Sequence, residues 1–167
     1  MRLQEETETE CVKRLTNLPE SHFLDERYRL TEPLSPHASA AIDDVSISLS
    51  DFQLPAVKTN HLVVEGAGGL MVPLNDKYMI IDLIEYFSLP ALLVAGSELG
   101  TLNHTFLSLE ALRSRNIPVL GVVMNGPQNE SNRIAIETYG NVNVLAEIGP
   151  QESLNSQVLQ QLFENFK

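Results

Sequence analysis

Residues 89–125 read LPALLVAGSELGTLNHTFLSLEALRSRNIPVLGVVMN, and the order of apolar and polar runs within them decides the fold class. The run 91–95 is short, apolar and bounded by Pro90 and Gly96, which suits a strand covered on both faces. After the break Gly96-Ser97, the longer amphipathic run 103–115 reads as a helix. The apolar run 119–124 then repeats the strand signal and stops at Asn125-Gly126-Pro127. Strand, helix and strand in that order predict a βαβ unit of a parallel sheet.

The alternation continues on both sides. Strand-like runs are also found at 62–65 and 142–148, and helical runs at 79–87, 131–139 and 153–166. The first sixty residues differ: an amphipathic helix is expected over about 5–17, followed by loops and short helices punctuated by Pro19, Pro33, Pro36 and Pro55. This segment offers no strong strand. The predicted sheet therefore starts in the middle of a conventional α/β order, within one domain expected over 1–167.

With 167 residues and 43% hydrophobic content, the chain can bury a core. Eleven basic against 22 acidic residues give a net charge of −11, which excludes nucleic acid held through a broad positive surface. A nucleotide is still admissible, because backbone N–H groups, a helix N-terminus and a metal ion can hold phosphate locally. The lone Cys11 cannot form an internal disulfide, and MRLQEETETE is neither a signal peptide nor a membrane span. A soluble, cytoplasmic protein is expected, with no membrane partner.

Ligands of open α/β sheets bind beyond the carboxyl ends of the strands, so the breaks after the four strand-like runs are expected to line one cleft. In the first, Glu65-Gly66-Ala67-Gly68-Gly69, an acidic side chain that can meet a metal stands beside bare backbone that can approach phosphate. The alternative is a tight turn with a solvated charge. The second break leads through Gly100-Thr101-Leu102-Asn103-His104 into a helix start, a carboxylate or phosphate site or else a simple cap. At the third, the amide of Asn125 offers a donor and an acceptor to the edge of a base, or Asn125-Gly126-Pro127 only turns the chain. Gly149-Pro150, the fourth break, carries the same ambiguity.

Taken together, VVEGAGGLMVPL (63–74) and the opening stretch 89–125 resemble the dethiobiotin synthetase family. A glutamate before G-A-G-G, a G-x-x-N-H helix start and a strand ending in asparagine stand in that family's order and spacing. EPLSPHASA (32–40) and AEIGP (146–150) are similar to its upstream segment and its last strand with nucleotide loop. The resemblance covers nearly the whole chain. It implies a P-loop NTPase-like three-layer fold, with helices on both faces of a mostly parallel sheet, and a reaction in which ATP, magnesium and carbon dioxide or bicarbonate convert diaminopelargonate to dethiobiotin. It further implies that Glu65 binds magnesium, that Gly66, Ala67 and Gly68 lie along the nucleotide, and that Asn125, Gly149 and Pro150 hold the adenine. Gly100, Thr101, Leu102 and Asn103 would receive the carboxylate of a substrate bound mainly by the other subunit of a homodimer. Glu8 stands where the family has a metal-proximal aspartate.

The same resemblance implies an opening strand, a G-x-x-x-x-G-K-[ST] loop and a later K-P-x-x-[ST]-G lysine, and none of these occurs in the chain. The expectation is a fold short of its first strand-loop-helix unit, without the catalytic lysines and inactive in isolation. The competing reading is a catalytically silent, dimeric nucleotide-binding or regulatory relative.

Overall fold

The structure is a computed structural model and describes residues 6–56 and 61–166. Helix α1 (Glu8–Thr16) opens with a capping box, in which the Thr7 hydroxyl accepts from the Glu10 N–H at 3.2 Å and the Glu10 carboxylate accepts from the Thr7 N–H at 2.8 Å. It closes at Asn17 in the left-handed conformation. Residue 5, where this helix was expected to start, lies outside the described residues. After a proline-punctuated stretch comes α2 (Pro36–Ile42), whose first position carries Pro36, where a missing N–H costs nothing.

From there the chain alternates: α3 (Ile80–Phe87), β1 (Ala91–Gly96), α4 (Thr101–Ser114), β2 (Val119–Asn125), α5 (Glu130–Gly140), β3 (Val144–Ile148) and α6 (Ser156–Phe163). The strands form a three-stranded sheet in the order β1-β2-β3, with β2 and β3 parallel, so the expected α/β class with a parallel sheet is borne out. Boundaries moved for local reasons. The helix expected from 103 starts at Thr101, whose hydroxyl donates back to the Gly96 carbonyl at 2.7 Å directly after Gly100 turns the chain at φ +96°. Strand β3 starts two residues late because Asn141, at φ 46°, is still closing α5. Helix α6 waits for Asn155, whose side chain accepts from the Val158 N–H at 3.0 Å.

One expected strand is overturned. Residues 62–65 form no strand, and Val63 is 91% exposed. A continuous apolar run makes a strand only between neighbours that take its hydrogen bonds and cover both faces, and among the described residues this run has neither.

The described residues fall into two compact units, one of residues 6–26, 94–102 and 121–166, the other of 27–56, 61–93 and 103–120. In the first, Val122, Val123 and Met124 of β2, Val144 and Ala146 of β3 and Ile136 of α5 are buried, and α5 packs on β3. Arg133 of α5 reaches Glu147 of β3 at 3.4 Å as well as Glu137 at 2.8 Å. Gly121 lies so close beneath Leu145 that no side chain fits there. In the second, Ala40, Ile47, Leu74, Ile80 and Leu83 make one apolar cluster and Ile81, Leu112 and Ile117 another. Arg115 is ion-paired with Asp82 and with Glu85 (2.9 Å), and their hydrogen bonds, Asp82 foremost, raise its pKa further. The Tyr28 hydroxyl donates to Asp51; burial first and that bond second push the phenol upward, while the bond lowers the carboxyl.

Candidate functional site

Three of the four sequence breaks meet at one end of the sheet. Asn125 closes β2 opposite Ile148 of β3, and the Gly126 N–H donates to the Ile148 carbonyl at 2.9 Å, which brings Asn125 beside Gly149 and Pro150. The break after β1 joins them through Ser97, which packs against Gly126. Gly126 has φ +139°, and a Cβ on it would collide with the Ser97 hydroxyl oxygen, so glycine is required there twice over, by backbone and by space. Asn125 is exposed, and its amide has no partner among the described residues, leaving donor and acceptor free for a ligand. Pro150 is exposed too, and the Gly149 carbonyl accepts from Gln151 Nε2 at 2.8 Å.

Gly100 directly precedes α4, and Thr101, Leu102 and Asn103 form its first turn. Thr101 is buried with its hydroxyl engaged on Gly96, so it anchors the turn and is not a free ligand group; Asn103 and His104 are exposed. The Thr101 N–H is also taken, by the Glu98 carbonyl at 3.1 Å, so any anion at this helix start would meet the N–H groups that follow it and the positive end of the helix dipole.

The remaining break, Glu65 to Gly69, belongs to the other compact unit, with Glu65, Gly66, Ala67 and Gly68 all exposed. Gly68 has φ +78°, the left-handed turn that its glycine anticipates. Glu8 is exposed in the first turn of α1. Among the described residues no group of three or more His, Cys, Asp or Glu side chains could cage a metal. The available donors, single exposed carboxylates, suit a magnesium ion shared with nucleotide oxygens and not an all-protein site.

Sequence reasoning passed over Asn129 and Asn132. The Asn129 side chain caps α5 by accepting from the Asn132 N–H at 3.0 Å, and both side-chain amides donate to the Ser97 carbonyl, at 3.3 and 3.0 Å. An asparagine two residues before the helical run 131–139 was the available signal. No described helix is long and apolar enough to cross a membrane.

Alternating strands and helices, with glycine-bearing and asparagine-bearing breaks gathered beyond the strand ends, define an α/β protein of the nucleotide-binding class, and a family model described as an AAA domain matches residues 1–158. The chain is 51% identical over 146 residues to the ATP-dependent dethiobiotin synthetase BioD of Paramagnetospirillum magneticum, covering 87% of this chain and 70% of that one. It is 45% identical over 161 residues to the proteins of the same name from Brucella ovis and Brucella abortus, covering 96% of this chain and 76% of each. The chain belongs to the dethiobiotin synthetase family.

Proposed function

We propose that the protein is an ATP-dependent dethiobiotin synthetase, a ligase of biotin biosynthesis that carboxylates 7,8-diaminopelargonate and closes the ureido ring at the expense of ATP. The observation that carries this reading is the 51% identity to a relative of that name across 87% of the chain. The convergence of Asn125, Gly149 and Pro150 supports placing the adenine there. In the same reading the first turn of α4, from Gly100 to Asn103, receives the substrate carboxylate from the partner subunit of a cytoplasmic homodimer.

Glu65 supplies a carboxylate to magnesium, with Gly66, Ala67 and Gly68 along the nucleotide and Glu8 as a second acidic group. When bound, the ion would offset charge on the phosphates. No Gly-Lys pair exists in the 167 residues, so a Walker-type cradle for the β- and γ-phosphates would have to be supplied by residues outside them. The silent nucleotide-binding relative is the outcome this leaves open to test.

The experiment is dethiobiotin formation from diaminopelargonate, bicarbonate and magnesium ATP, by the chain alone and by the chain joined to the strand, Walker loop and helix of a relative. Product from the joined protein, reduced about tenfold or more by Asn125→Ala as expected for a lost base contact, supports the reading. No product from either protein overturns it in favour of the silent relative.

A further inference from the structure

The loop that follows Asn125 is held at both ends. At its start, Gly126 donates to Ile148 and packs against Ser97; at its far end, Asn129 Nδ2 and Asn132 Nδ2 converge on the Ser97 carbonyl at 3.3 and 3.0 Å. Helix capping does not account for this convergence. The cap uses only Asn129 Oδ1, on the Asn132 N–H, and an aspartate would serve as well there; the two Nδ2 groups are additional. Ser97 itself is 4% exposed, and its hydroxyl has no hydrogen-bond partner among the described residues, an arrangement that an alanine would avoid.

We propose that Asn129 and Asn132 are positioning residues for base discrimination: by clamping the Ser97 carbonyl they fix the β2–α5 loop so that the Asn125 amide meets the edge of the base in one orientation. The proposal rests on the reading of Asn125 as the base contact. An amide whose donor and acceptor are both free distinguishes a base only while it is held the right way round, and the clamp is what holds its loop.

The test compares ATP and GTP binding by calorimetry, with thermal melts, for the chain joined to the strand, Walker loop and helix of a relative, and for variants of that joined protein. Asn129→Asp with Asn132→Asp keeps the capping oxygen, places acidic groups favourably in the first turn of α5 and removes both clamp donors. The double variant is expected to melt within a few degrees of the parent while the ratio of ATP to GTP affinity falls about tenfold, the worth of a hydrogen bond or two. Ser97→Ala retains the carbonyl, so its ratio should be unchanged and its melting temperature equal or higher. An unchanged ratio in the double variant, or equal weakening of both nucleotides, overturns the clamp. If the double variant does not fold, Asn132→Asp alone is read in the same way, with a smaller expected loss of about threefold.

Asn125→Ala separates the two readings. A ratio altered by Asn125→Ala but not by the clamp variants leaves the base contact standing and removes the positioning role. A ratio unaltered by Asn125→Ala, or no ATP binding by the joined parent protein, removes the base contact and the clamp with it.

Discussion

A single hydroxyl illustrates how much of this protein hangs on side-chain detail. Tyr28 donates to Asp51, and each perturbs the other in opposite directions. The carboxyl, lowered below its ordinary value of 3.8, contributes stability that is complete above that value and is lost as pH falls through its depressed folded value. The phenol, raised above 10.0, contributes stability that is complete below 10.0 and is lost as pH rises through its folded value. Tyr28→Phe is therefore expected to lower the melting temperature by a constant amount between about pH 5 and 9, with the difference shrinking beyond either end of that window. A difference that is flat from acid to alkali would show that the bond contributes nothing. The candidate site was legible at this scale only where a residue's type announces its use. Asn125 and Gly126 stand at a strand end and could be read; the donors of Asn129 and Asn132 to a backbone carbonyl more than thirty residues away could not, because nothing local marks a carbonyl as an acceptor.

Among the elements, α4 shows best how periodicity becomes packing. Its Leu109 and Leu112 are both fully or almost fully buried, and Leu112 closes a cluster with Ile81 and Ile117. Leu112→Ala is expected to cost about 2–5 kcal/mol by urea unfolding, because the removed methyls leave a void that a close-packed interior only partly closes. A loss below about 1 kcal/mol would show that the cluster collapses freely onto the smaller side chain. Three of the four expected strands and the helices between them were readable because they combine continuous apolar runs with glycine or proline at the ends. The run 62–65 has the same composition and failed, since a strand is a property of a pair and composition describes only one member. A side-chain cap accounts for the shift at α6, where the Asn155 amide oxygen sets the first helical residue, while at α4 the Thr101 hydroxyl ties the helix start to Gly96.

For the whole molecule, charge is the strongest influence that can be read from composition alone. A net charge of −11 on 167 residues leaves mutual repulsion between copies at neutral pH, while Leu92, Val94, Leu99, Tyr139 and Phe163 present apolar surface to solvent. Light scattering at fixed protein concentration should therefore stay low at pH 7.5 in dilute buffer and rise on approach to pH 4.7, where the charge vanishes, or in concentrated salt. Scattering that is indifferent to both would show that the exposed apolar groups are not adhesive.

The uncovered run around Val63 gives that balance a direction. Among the described residues the run 62–65 takes no backbone hydrogen bond, and with its valines in water it offers a template on which an extended chain can register, held off by long-range repulsion. Viewed as a colloid, the protein is a charge-stabilised particle with sticky places: added salt is expected to shorten its life in solution, and the first contacts in a precipitate are expected along residues 62–65.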